Sequence, residues 1–517
     1  MICHVGAESC RQHFVKIGKH FGCEYNNGGV FMQRFTASFE SLEKVVCPDW
    51  FRDAKFGIWS HWGPQSVPMY GDWYARNMYI QGTPQYNYHV RRFGHPSKFG
   101  YKDVCALWKA ENFNPSELME LYHKAGARYF VALAMHHDNF FNFPSKHNPM
   151  NSVEFGPKKD ICGMWKQAAD AFDMPFGLTE HHGASFSWWR VNKGCDTQGM
   201  YKGVPYDGNN PDWQDFYHPN QNETADNPHQ IFPWYTEDKN FRNKWLSIMK
   251  ELIDLYAPDL LYTDGNLPFG NHLPSGYAPV EDGDYSCGLE AVAHLYNKSI
   301  EKHGTNRAIY TCKDRRREVH RVGILDIEKS QLPGIAKEPW QTDTCIGNWF
   351  YDVRQSFKTT GHIVEMLVDI VSKNGTMLLN ILQKPDGTID DETRFFLGEL
   401  AEWFSICGEG VYGTRPWKTE SEGVTKVLIE GFREDKTKWH ESDFRFVKKQ
   451  NTVYAFMLGN PHGTAVLRSF NGGEKIKDVR LLGVGKVDYS HNHGVLTVKL
   501  PDNLPAKFAN CLAVELG

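Results

Sequence analysis

Arg128-Tyr-Phe-Val-Ala-Leu-Ala-Met-His136-His-Asp-Asn-Phe140 is the stretch on which the fold turns. Its apolar core, Tyr129–Met135, is the longest such run in the chain and falls far short of the roughly 18 residues that span a bilayer. A continuous apolar run of strand length is typical of a parallel strand buried on both faces. It ends abruptly in titratable side chains. Just upstream, Asn114-Pro-Ser-Glu117 opens a helix, with Asn114 as N-cap, Pro115 in the first turn and Glu117 placed for a capping box; Gly126 suits its end. Downstream, Ile161–Phe172 is helical and Pro175–His181 is strand-like.

The same alternation extends in both directions. Lys55–Trp62 and Asp259–Gly265 read as strands, and Trp245, Ile248, Leu252 and Tyr256 recur at helical spacing along Phe241–Tyr256. Arg307–Lys313 and Gly323–Glu328 are strand candidates; His362–Val371 is helical, Met377–Leu382 a strand and Asp391–Ile406 a helix. Residues 190–238 form a long loop of the length that usually carries function. Neither G-x-G-x-x-G nor a P-loop follows an early strand, so an open doubly wound sheet is disfavoured. The expected fold is α/β: a (β/α)8-like TIM barrel over residues 46–410, preceded by an extension over 1–45. Short β-type runs separated by turns predict an antiparallel β-sandwich over 411–517.

Composition narrows the function. The 517 residues include 57 basic and 62 acidic side chains, a formal charge of −5, which argues against nucleic acid as the main partner. Aromatic residues make up 14% of the chain, a supply that suits either a large core or the stacking of sugar faces. The 12 cysteines are scattered with no C-x-x-C pair, as expected of free thiols rather than a disulfide framework or zinc site. The first residues lack a continuous apolar segment, which reads as no secretory signal: a cytosolic chain or a processed form.

In a barrel of this kind, function collects at the C-terminal strand ends. Here those ends carry His61, then His136 and His137, then Glu180, His181 and His182, then Tyr262 and Asp264, then Asp326 and Glu328. No H-x-H stands on the first strand, and the one at His491 and His493 falls in the expected sandwich, so no catalytic metal is expected. No G-x-S-x-G elbow is present. Paired carboxylates remain: one to attack or stabilise an anomeric carbon, the other to give and take a proton. Asp264 precedes Gly265, which keeps its carboxylate approachable; a turn-forming Asp-Gly is the plainer alternative.

Asp49-Trp-Phe-Arg-Asp-Ala-Lys-Phe-Gly-Ile-Trp-Ser-His61-Trp-Gly63 resembles the opening of glycoside hydrolase family 29, the retaining α-L-fucosidases. The resemblance continues, in order, through Gly71-Asp-Trp-Tyr-Ala-Arg76, Gly126-Ala-Arg-Tyr-Phe130, His136-His-Asp-Asn-Phe140 and Gly156-Pro-Lys-Lys-Asp160. It runs on through Tyr256-Ala-Pro-Asp-Leu-Leu-Tyr-Thr-Asp264-Gly265, Val371-Ser-Lys-Asn-Gly-Thr-Met-Leu-Leu-Asn380, Pro385-Asp-Gly-Thr-Ile389 and Gly408-Glu-Gly-Val-Tyr-Gly-Thr-Arg415.

The resemblance implies Asp264 as nucleophile, His61, His136 and His137 as partners of the sugar hydroxyls, and Trp73 as a sugar-contacting ring. Asp72 stands where many members have glutamate and Tyr262 where tryptophan is common; Glu180 and His181 fit a Ser/Thr-Glu-His subgroup. Glu328 is the expected acid/base, with Glu290 and Glu338 as alternatives, and Arg316 the expected substrate-binding arginine, in competition with Arg315, Arg317 and Arg321. Phe141 and Met150 depart from residues common in relatives. The implied activity is hydrolysis of terminal α-L-fucose from a fucosylated glycan, without cofactor, nucleic acid or membrane partner, in a periplasmic or extracellular setting; an oligomer is left open. The alternatives are a related glycosidase for α-L-galactosides or sulfated fucan fragments, or a fucose-binding protein without catalysis.

Overall fold

The computed structural model describes residues 34–220, 231–270, 283–427, 434 and 437–517. Eight parallel strands close a barrel in sequential order: β1 (Phe56–Ser60), β2 (Phe130–Met135), β3 (Phe176–Glu180), β4 (Leu260–Thr263), β5 (Ile309–Cys312), β6 (Ile324–Glu328), β7 (Trp340–Cys345) and β8 (Gly375–Asn380). The two-faced burial expected of β2 is met, since every one of its residues is buried.

Helices cover the outside, and their starts follow local chemistry. The Asn114 side chain accepts the Glu117 N–H at the head of Pro115–Lys124, and Gly126 takes φ +98° just beyond its end. Asp160, Asp238 and Asp390 cap Ile161–Ala171, Lys239–Tyr256 and Asp391–Cys407 in the same way. The expected reciprocal contact from Glu117 is replaced by an ion pair to Arg394. Most of the expected N-terminal extension lies outside the described residues. Its described end is tied to the barrel, with Phe35 exchanging hydrogen bonds with Asn297 on the helix Ser286–His303.

One barrel strand, β7, has no counterpart in the sequence reading. Four of its six residues, Gln341, Thr342, Asp343 and Thr344, are polar, yet all six are buried. Gln341 accepts from the Tyr129 hydroxyl and donates to Asp326, so partners elsewhere in the barrel replace water.

Beyond the barrel lie two antiparallel sheets. The larger orders β14-β13-β17-β11-β10-β9 and the smaller β12-β16-β15, where β9 is Arg415–Glu422, β10 Phe444–Lys449, β11 Thr452–Met457, β12 Thr464–Leu467, β13 Ile476–Leu481, β14 Gly485–Lys486, β15 Tyr489–Asn492, β16 Val495–Lys499 and β17 Asn510–Leu516. Phe444, Phe446, Leu467, Phe470, Leu496 and Leu512 belong to the shared core of these sheets. The sheets are locked to the barrel by a buried charge cluster: Asp369, on the helix Thr360–Ser372, pairs with Arg445 of β10 and with Lys373.

The nine described cysteines are free thiols, most of them buried; Cys3, Cys10 and Cys23 lie outside the described residues. Among the described residues no helix is long and apolar enough to cross a membrane.

Candidate active site

The C-terminal ends of the barrel strands surround a cavity of about 630 Å³. Its wall includes His61, Asp72, Trp73, His136, His137, His181, Tyr262, Asp264 and Glu328, nine of the eleven site residues expected from sequence.

The imidazole wall is held from behind. Gln65 accepts the Ala75 N–H on its Oε1, which turns its amide nitrogen toward His136 Nδ1 at 2.9 Å. His136 Nδ1 therefore accepts, and the ring proton belongs on Nε2. His137 donates from Nδ1 to the His181 carbonyl (2.6 Å) and sets Nε2 3.3 Å from Asp264 Oδ2. Burial pushes His61 down to about 3, and it holds His136 and His181 well below the ordinary histidine range. These three rings are neutral near pH 7 and serve as both donors and acceptors, the character needed to grip hydroxyls.

Among the described residues, His61, His136 and His181 are also the one cluster with metal-ligand spacing: their ligand nitrogens lie within 4.8 Å of one another. Three neutral imidazoles form a donor set that suits a zinc-type ion.

Asp264 continues the line of β4. Its N–H donates to the Glu180 carbonyl (3.0 Å), and the next residue, Gly265, takes φ +90°. A side chain there would be strained by the backbone and would press on Trp234 and Tyr235, at 3.2 Å from an added Cβ. The carboxylate accepts the Tyr262 hydroxyl at 3.1 Å and the Lys313 ammonium at 2.8 Å. Burial alone would raise Asp264, but Lys313, His181 and His137 outweigh it and hold the group well below the usual carboxylate range.

Glu328 ends β6. Its Oε1 accepts the Trp349 indole N–H at 3.1 Å, and its Oε2 takes Lys313 Nζ at 2.5 Å. A single nitrogen thus touches both carboxylates, 2.8 Å from one and 2.5 Å from the other, so the two contacted oxygens are at most 5.3 Å apart. Behind them, burial raises Asp343 to about 6 against the pull of Lys313, and burial with Asp343 alongside raises Asp326 well above the carboxylate range. Asp326 thus holds a proton more firmly than Asp343, and both line the cavity.

Asp72 also faces the cavity, with a buried Oδ1 that has no partner among the described residues; burial raises it to about 7. Trp73 holds a left-handed φ of 56°, uncommon for a bulky side chain, and stacks on Trp234 with ring centres 6.3 Å apart.

Two expected residues sit elsewhere. Glu180 lies beneath the cavity, accepting N–H groups from Gly183 and Trp245, and burial raises it to about 7. Arg316 is turned back onto Asp314 and Tyr285, while its neighbour Arg315 reaches the cavity wall. Of the alternative acids, Glu290 pairs with Lys250 on the outer helices, and Glu338 is exposed; neither lines the cavity. The sequence reading missed Lys313, Asp343, Trp234 and Trp349. Lys313 alone carried a signal, as the last residue of a candidate strand.

Comparison with known proteins agrees with this architecture. The family model described as alpha-L-fucosidase matches residues 26–409. The plasma alpha-L-fucosidase of Homo sapiens is 27% identical over 518 residues, covering 93% of this chain and 92% of that protein. The tissue alpha-L-fucosidase of Macaca fascicularis is 26% identical over 496 residues, covering 92% and 91%. The crystal structure of Thermotoga maritima alpha-fucosidase superposes with a TM-score of 0.69 at 25% identity, covering 93% of this chain and all of that one. A family match across the whole barrel, together with relatives aligned nearly end to end, shows that the chain is a glycoside hydrolase belonging to the alpha-L-fucosidase family, glycoside hydrolase family 29.

Proposed function

We propose that the protein is a retaining exo-glycosidase that removes terminal α-L-fucose from glycans, with Asp264 as nucleophile and Glu328 as acid/base. The observation that carries this reading is the carboxylate spacing. Two of their oxygens lie at most 5.3 Å apart, which suits the roughly 5–5.5 Å separation of retaining enzymes better than the roughly 6.5–9.5 Å of inverting ones.

In the first step an Asp264 oxygen bonds to C1 as the C1–O bond breaks, and the departing oxygen takes a proton from Glu328. In the second, water attacks C1, its proton passes to Glu328, and the Asp264 ester bond breaks to release L-fucose. The low proton affinity of Asp264 keeps it ionised for attack. The neutral histidines and the partnerless Asp72 Oδ1 serve the sugar hydroxyls, and the Trp59, Trp73 and Trp234 faces serve its methyl and C–H surfaces.

Asp264→Gly tests the reading: turnover of an aryl α-L-fucoside should fall by at least about 1,000-fold, the scale of losing a covalent route. Activity near the wild-type level would refute the nucleophile. Binding of fucose by the wild-type protein without hydrolysis would favour the non-catalytic alternative.

A further inference from the structure

The two-step reaction gives no part to Lys313, a half-buried cation on the cavity wall. Lys313 follows β5, and its backbone N–H donates to the Gly265 carbonyl at 2.7 Å, which pins it beside the nucleophile's turn. Its ammonium contacts Asp264, Glu328 and, at 3.5 Å, Asp343. The groups facing it come from several strands: Tyr262, its ring 5.5 Å away, and Asp264 beside β4, Asp326 and Glu328 from β6, and Asp343 from β7. His61 and His181 lie within its field. Burial would strip its proton, but Asp264, Asp343 and Glu328 hold it firmly cationic.

A cation in contact with both reacting carboxylates has two consequences. It cancels the repulsion that would drive two acids apart at this spacing. It also favours the ionised form of whichever carboxylate it touches, which helps a nucleophile and opposes an acid that must hold a proton.

We infer that Lys313 is a positioning residue that clamps Asp264 and Glu328 at reacting distance and extends hydrolysis to more acid pH. This rests on the proposed roles of the two carboxylates. Activity is lost below the pH at which the nucleophile protonates and above the pH at which the acid loses its proton. Lys313 pulls the nucleophile's boundary down.

The test is the pH dependence of kcat/KM for an aryl α-L-fucoside in Lys313→Met, which keeps the length and removes the charge, and in Lys313→Arg, which keeps the charge. In Lys313→Met the acid limb of the bell should move up by about one pH unit or more. kcat should fall while KM changes little, because the ammonium faces carboxylates. Lys313→Arg should return the acid limb toward its wild-type position.

If Lys313→Met is too slow for steady-state work, the first-turnover rate on 2,4-dinitrophenyl α-L-fucoside is read instead. That leaving group needs no proton, so only the acid limb is present, and it should still move up. A folded Lys313→Met with an unmoved acid limb, or a Lys313→Arg that behaves like Lys313→Met, overturns the inference. Failure of the carboxylate assignment shows separately, as retained activity in Asp264→Gly.

Discussion

The Tyr262 hydroxyl donates to Asp264 Oδ1 at 3.1 Å and lies 3.3 Å from Asp343 Oδ2. Strand pleating places residues two apart on the same side of β4, so the phenol stands beneath the carboxylate it supports. Tyr262→Phe removes that donor without changing ring volume. A lost hydrogen bond to a charged group is worth about 1.5–3 kcal/mol, so kcat/KM on an aryl α-L-fucoside should fall roughly 10- to 100-fold. An unchanged value would mean that the phenol does not support the nucleophile.

Trp349 plays the matching part for Glu328, donating its indole N–H to Oε1 at 3.1 Å. Trp349→Phe should lower kcat by about tenfold, the size of one lost polar contact. The loss should be largest for leaving groups of high basicity, which depend most on the acid. A loss equal across leaving groups would place the effect in sugar binding instead.

Glu180 supplies a pH signature of folding. Burial holds its carboxyl at about 7, against roughly 4.3 in an unfolded chain. Between those values the folded protein keeps a proton that the unfolded chain has lost. Its stability contribution is therefore full below about 4.3 and declines as pH rises through about 7. Glu180→Gln has nothing to ionise. Its thermal midpoint should gain on the wild type by a few degrees between pH 5 and pH 8; a constant difference would contradict the account.

The barrel and the C-terminal sheets meet at Asp369, which holds both Arg445 and Lys373 in a buried cluster. Asp369→Ala leaves two buried cations without their anion and should cost about 3–5 kcal/mol. Chemical denaturation should show this loss. The specific activity of the folded fraction should stay near wild type, because the cluster lies away from the cavity wall.

Much of this arrangement was legible in the sequence because parallel strands buried on both faces write continuous apolar runs, as β2 and β8 do. β7 was not, because its inward residues are Gln341 and Asp343, whose partners Asp326 and Tyr262 come from other strands and Tyr129 from just ahead of β2. No linear pattern records such pairings. The polar strand ends led to seven wall residues and the family resemblance to Asp72 and Trp73, yet the lysine between Asp264 and Glu328 has a meaning that lies only in the acids it touches. Arg315 and Arg316 were indistinguishable for a similar reason. Asp314 folds Arg316 back through its backbone N–H and its guanidinium, which leaves Arg315 to reach the cavity.

The covalent step itself offers the most direct test. Incubation with 2-deoxy-2-fluoro-α-L-fucosyl fluoride slows hydrolysis of the glycosyl ester and lets it accumulate, and digestion with mass spectrometry then locates the sugar. The account predicts one fluorofucosyl group on the peptide that contains Asp264, and none in Asp264→Gly. A label on any other side chain, or turnover of an aryl fucoside with no ester ever trapped, would contradict it.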